Sequence, residues 1–137
     1  MIRRLHVLAV GLSLLLAPAA RADDSKDMQG TWVVVSSERD GVTGDNPDDK
    51  LVVKGDKIMI MRSSTNREDP VTFKLDAAQK PKHLNLTTPG RQSIKGIYEL
   101  QGDNLKICFG KPGSERPADF KTKENSGFMC VTLKRAK

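Results

Sequence analysis

The chain has 137 residues, of which 37% are hydrophobic and 29% charged, with a formal net charge of +6. Only 4% are aromatic and the Lys and Arg residues are scattered. It therefore lacks the clustered positive charge and stacking rings of a nucleic-acid binder, and no nucleic-acid partner is expected.

The N-terminus reads "MIRRLHVLAVGLSLLLAPAARADD". Arg3 and Arg4 precede an apolar run over residues 5–17, and Ala20-Arg21-Ala22 forms a small-x-small site before Asp23. That order is the layout of a secretory signal, so residues 1–22 are expected to be removed and residues 23–137 to form one exported domain, periplasmic or extracellular. The run is shorter than the roughly 20 residues a membrane-crossing helix needs, and no integral membrane segment is expected in the mature chain. Its removal takes Arg3, Arg4 and Arg21 but no acid, leaving a net charge of +3. A domain of this size buries enough surface for one core.

From Thr31 onward, short alternating runs separated by turn residues predict strands over 31–39, 50–54, 57–62, 71–75, 83–87, 94–100, 105–109 and 128–134. This spacing indicates an all-β barrel or sandwich. In "LVVKGDKIMI" a two-residue Gly55-Asp56 turn sets Val53 against Ile58 and Leu51 against Ile60, with glycine supplying the positive φ. In "GIYELQGDNLKICF" a four-residue loop over 101–104 places Leu100 opposite Leu105 and Tyr98 opposite Ile107. Each register keeps one apolar face intact. The inward set is Trp32, Val34, Leu51, Val53, Ile58, Ile60, Val71, Phe73, Leu75, Leu84, Leu86, Tyr98, Leu100, Leu105, Ile107, Phe109, Met129, Val131 and Leu133. One apolar and one polar face across eight sequential strands fit an antiparallel, up-and-down barrel closed on itself, which removes its unpaired edges. A small sandwich is the alternative.

Cys108 and Cys130 fall at outward positions of neighbouring strands. In an exported chain an even cysteine count suggests a disulfide. The long connection between them leaves the register open, so two thiols packed under a loop is the other reading.

No catalytic residue, metal site or cofactor is expected. His83 is the one histidine after the signal and has an outward position, without the partners a metal or nucleophile triad needs. Asp40, Asp45, Asp48 and Asp49 crowd the first loop without calcium-loop spacing, and phosphate-cradling glycine loops are absent. The barrel interior is where a ligand would bind, with Tyr98 and Ser36 as polar groups among Phe73 and Phe109. An eight-stranded barrel holds one small ligand or is filled by its own side chains, and both readings stand. Residues 110–127 are too long for a hairpin loop; Arg116, Pro117 and Phe120 are expected to cap one barrel end with Phe120 turned inward, a mobile surface loop being the alternative. Val33, Val35, Val52, Met59, Met61 and Ile97 point outward, and if clustered would form a patch for a partner.

At "GTWVVVSSERDG" the sequence resembles the opening of calycins, the superfamily of lipocalins and fatty-acid-binding proteins. "MQGTWVVVSSERDG", "KGIYELQGDNLKICFG", "KPGSERPADF" and "VTLKRAK" together resemble small exported lipocalin-like proteins common in planctomycete-type bacteria, a largely uncharacterised family. The resemblance implies that Trp32, opened by Gly30, plugs one barrel end, with Arg135 packed across the indole. The helix pair and Arg-x-Tyr clamp of fatty-acid-binding proteins and the Thr-Asp-Tyr turn of true lipocalins are absent, so a fold is implied and a ligand is not. The expected function is non-enzymatic binding of a small apolar molecule. The alternative is an envelope protein-binding or inhibitor module acting through its loops and outer face.

Overall fold

The computed structural model describes residues 23–44, 49–62 and 67–137. The expected secretory segment and the acids Asp45 and Asp48 lie outside the described residues. A single helical turn, α1 (Asp24–Asp27), leads into β1 (Gly30–Arg39), β2 (Val42–Gly44), β3 (Lys50–Lys54), β4 (Lys57–Arg62), β5 (Arg67–Asp76), β6 (Lys82–Thr87), β7 (Ser93–Gln101), β8 (Asn104–Phe109) and β9 (Met129–Arg135). Strands β1 and β3 to β9 run in sequential antiparallel order, and β1 pairs with β9 to close an eight-stranded barrel. The short β2 is an addition beside β1.

That extra strand corrects the reading of residues 40–49 as loop. Asp40 and Gly41 both have positive φ, 50° and 83°, the requirement of a two-residue hairpin turn matched to strand twist. They fold Val42–Gly44 back on Ser37–Arg39. The β7–β8 loop is also tighter than expected. Gln101 pairs with Asn104, so the turn is Gly102-Asp103, while Leu100 still faces Leu105 and Tyr98 faces Ile107. Strand β5 begins at Arg67, before Pro70, whereas the sequence reading started it at Val71. At that level β5 has only β4 beside it, because its pairing with β6 begins at Thr72. An edge position accommodates a residue without an N–H.

One local irregularity changes which side chains face inward. The β1–β9 register shifts between Val34 and Ser36: Val34 pairs with Leu133, but Ser36 pairs with Thr132 and Ser37 with Val131. This β-bulge places one extra residue on β1 and re-aims those that follow. Ser36 therefore sits at an outward register position, and Ser37 takes the buried inward one. The expectation of Ser36 in the interior is thereby corrected.

The core gathers Trp32, Val53, Ile58, Phe73, Leu84, Leu86, Tyr98, Leu105, Ile107 and Leu133, with Met28 added from the turn after α1. Val34, Leu51, Val71, Leu75, Leu100, Phe109 and Val131 pack against it, joined by Ile94. Burial is graded. Met28 and Trp32 at one end are fully buried, whereas Val34, Leu51, Val71, Ile94 and Phe109, toward the other end, are half-buried, as are Leu75 and Leu100 beside Tyr98.

Residues 110–127 form a strap across the outside of the wall and do not cap an end. The Arg116 guanidinium donates to Gly96 O of β7 at 2.6 Å and to Asn85 Oδ1 of β6 at 2.7 Å. Further along, the Thr122 hydroxyl and amide donate to the Glu38 carboxylate of β1, holding that carboxyl below the usual glutamate range. Gly41 N donates to Thr122 Oγ1, and Gly127 N to Asp40 Oδ1. The strap so spans β6 to β1 over the outer faces of β7, β8 and β9. Beneath it Ile97 and Cys108 are fully buried, although both have outward positions. The expected exposure of Ile97, and the inward-turned Phe120, are corrected together.

Cys108 pairs with Cys130 across β8 and β9, and the two form a disulfide. Their Cα atoms are 4.0 Å apart, within bridging reach. The bond closes the strap at its root, over a sequence separation of 22 residues. Closing a loop of that order restricts the unfolded chain by about 3 kcal/mol. Replacing both cysteines by serine is expected to lower the unfolding free energy in urea by about that amount, with strand content by circular dichroism unchanged.

Candidate functional site

The closed end of the barrel is built around one side chain. Trp32 is fully buried and its indole N–H donates to Met28 O at 2.9 Å, which satisfies the ring's only polar group. The Arg135 guanidinium lies 4.4 Å from the centre of the indole and donates to Gln29 O at 2.8 Å and Asp27 O at 2.6 Å. Its Nε–H reaches Asp103 Oδ1 in the β7–β8 turn at 3.1 Å. Gly30 makes room for this stack. Its φ is +122°, and a Cβ there would come within 3.2 Å of Arg135 Nη1.

The turn before β1 is fastened by two further residues. The Gln29 amide donates to Gly55 O and accepts from Gly55 N in the β3–β4 turn. Asp24, 9% exposed, accepts from the Tyr98 hydroxyl at 2.7 Å and from Lys82 Nζ at 2.8 Å. Burial first, then the hydrogen bond and charge of Asp24 and the charge of Asp76, push the Tyr98 phenol far above the usual tyrosine value. It stays protonated and donating. One carboxylate thus links the N-terminal turn to β6 and β7.

Beside this link lies a cleft of about 550 Å³. Phe73, Leu75 and Tyr98 supply its apolar side, while Asp23, Ser25, Asp56 and Lys74 stand at its margin. A second hollow of about 380 Å³ shares Ala77 and Tyr98 with it and continues past Lys82 and Leu100 to Phe120.

The structure brings together two of the four expected ligand contacts, Tyr98 and Phe73. Phe109 ends β8 toward the opposite end, and Ser36 faces outward behind the bulge. The Tyr98 hydroxyl is engaged by Asp24, and the side chain as a whole is 1% exposed. Arg116 and Phe120 belong to the outer wall. Asp40 is a hydrogen-bond acceptor for the strap, and Asp49 O accepts from Val34 N. His83 pairs with Asp76 and Ile97 in the sheet. Among the described residues no three His, Cys, Asp or Glu side chains converge as a metal site, and no described helix is long and apolar enough to cross a membrane. On the outer wall the register sets Val52 beside Met59, whereas Lys50 stands between Val33 and Met61.

The residues missing from the sequence reading are Asp24, Met28, Gln29 and Lys82. Lys82 carried a usable signal, since it has inward parity opposite Tyr98 and an inward lysine at a strand end needs a partner. Comparison with protein-family models, curated proteins and solved structures gave no match.

Removing the Tyr98 hydroxyl leaves a nearly buried carboxylate with Lys82 alone. Hydrogen bonds to charged groups contribute about 1.5–3 kcal/mol. Tyr98→Phe is expected to lose about 2 kcal/mol in chemical denaturation, a loss that Phe73→Leu, which spares the link, does not reproduce by the same route.

Proposed function

We propose that the protein is an exported, non-enzymatic, lipocalin-like barrel that binds a small molecule with an apolar body. The observation that carries this is the cleft beside the N-terminal turn. Its volume of about 550 Å³ falls within the roughly 300–1,000 Å³ range of small-molecule sites, and it joins an apolar side to a few polar groups, the composition such sites share. The seat differs from the expected one. Packing of Trp32, Met28, Leu105 and Leu133 fills the barrel next to it, so the molecule would rest against the end of the barrel. The disulfide supports export, because such bonds persist in oxidising compartments.

A second reading has its own observation. Val52 pairs with Met59 on the outer wall, two residues along β4 from Met61, which is 37% exposed. A patch of this kind suits an envelope protein partner.

Ala77 lines the cleft and is exposed, so a larger side chain there fills the cleft without entering the core. With the neutral fluorescent probe N-phenyl-1-naphthylamine, Ala77→Trp is expected to weaken binding at least about tenfold while leaving thermal unfolding unchanged. Equal binding by the two proteins contradicts the cleft as the seat. Because the substitution spares Met59 and Met61, an association with another protein that survives it belongs to the second reading.

A further inference from the structure

Apolar and cationic side chains alternate on the outer wall formed by β1, β3 and β4. One row of outward positions holds Thr31, Val52, Met59 and Pro70. The row toward the strap's end of the barrel holds Val33, Lys50 and Met61, with Lys134 of β9 beside Val33. On the other side of the first row Lys54 stands directly opposite Lys57, at the β3–β4 turn. Lys50, Lys54, Lys57 and Lys134 are exposed, and Val33, Val52 and Met59 are half-buried between them.

None of these lysines has a carboxylate partner. The ion pairs among the described residues are Lys82 with Asp24 and Arg135 with Asp103, and β3 and β4 contain no acid at all. Asp56, in the turn itself, pairs with neither Lys54 nor Lys57. Like charges directly opposite on paired strands are destabilising, so the fold itself gives no reason for the Lys54–Lys57 pair. An anion laid across it removes the repulsion. The far wall differs, since Lys106 of β8 stands opposite Glu99 of β7.

The kind of anion follows from the cations and from what lies between them. All four are lysines, point charges on flexible stems, without the planar guanidinium that grips one fixed carboxylate or phosphate with two bonds. No aromatic ring stands among them to stack on a base. Valine and methionine occupy the space instead, and lysine stems lie along apolar surface while their ammonium groups stay at a polar boundary. Two copies of this chain meeting by the same face would set lysines against lysines, which disfavours self-association there.

We propose that this wall docks on the anionic headgroups of a phospholipid surface. Lys50, Lys54, Lys57 and Lys134 meet the phosphates, and Val52, Met59 and Met61 settle at the boundary with the acyl chains. Docking there needs no ligand in the cleft.

Co-sedimentation of the exported protein with vesicles is the test. At about 0.15 M salt, where screening acts over about 8 Å, vesicles of equal parts phosphatidylglycerol and phosphatidylcholine are expected to carry the protein down. Phosphatidylcholine alone is expected to leave it in solution. A lysine near an anionic leaflet contributes about fivefold in affinity, so Lys54→Gln with Lys57→Gln is expected to weaken partitioning about 25-fold. This variant removes a like-charge pair, so the fold is kept. Lys106→Gln with Lys121→Gln removes the same charge from the far wall and the strap, and is expected to change partitioning by less than about twofold. Met61→Ser is expected to weaken it about fourfold, the scale of one methylene taken out of water. Equal loss in the two lysine variants, or equal partitioning onto phosphatidylcholine alone, overturns the docking face. An unchanged Met61→Ser overturns the contact with the acyl boundary. No binding to either vesicle overturns the lipid surface and leaves the wall to an acidic protein partner.

Discussion

A closed barrel has two ends, and this one depends on how one of them is shut. The lone tryptophan sits inside the strand wall with no water around it, so its N–H must find a protein acceptor. That acceptor, Met28 O, belongs to a segment outside the sheet. The turn preceding β1 therefore has to be held in place, and four side chains do so. Arg135 holds it from the end of β9, Gln29 from the β3–β4 turn, and Tyr98 with Lys82 from the wall through Asp24. The relative sizes are instructive. Truncating a buried tryptophan costs about 3–5 kcal/mol, whereas a cation over an aromatic face contributes about 0.5–2 kcal/mol. Burial drives the closure, and the polar contacts fix its geometry.

Closure of that end also creates the cleft. Phe73 and Tyr98 are core residues, 4% and 1% exposed, and half-buried Leu75 lies beside them. Where the turn stops, at Asp23 and Ser25, an apolar surface meets a charged margin. The same carboxylate that secures the turn takes the Tyr98 hydroxyl out of play as a donor, so the closure sets the chemistry left for a ligand. On the outer wall the strap does a comparable job. It covers Ile97 and Cys108, two apolar groups that the strand pattern leaves on the solvent side, and the disulfide ties its ends together.

The barrel itself was legible because its signals are local and repeated. Alternation placed nearly every core residue, and the Gly55-Asp56 turn fixed a register that the structure keeps. Asp40-Gly41 was an equally good hairpin signal, hidden by the turn-rich sequence after it. The bulge at Val34/Ser36 had no local mark, since "VVVSS" alternates equally well in either phase; only the β9 register selects one. The strap was opaque for a related reason. Arg116 is held by backbone carbonyls and by Asn85, partners that no spacing along the chain reveals. Asp24 looked like a residue just past a cleavage site, and its value as an acceptor depends on Tyr98, 74 residues away. Short-range pattern specified the wall, and long-range polar contacts decided how its end is covered.

The most direct test is the solvent access of Trp32, the chain's only tryptophan. Acrylamide quenching of its fluorescence should be close to nil in the native protein, with emission shifted to the blue of free indole. Quenching and emission matching those of tryptophan in water would mean that this end of the barrel is open, and the account of closure, cleft and ligand seat would fail with it.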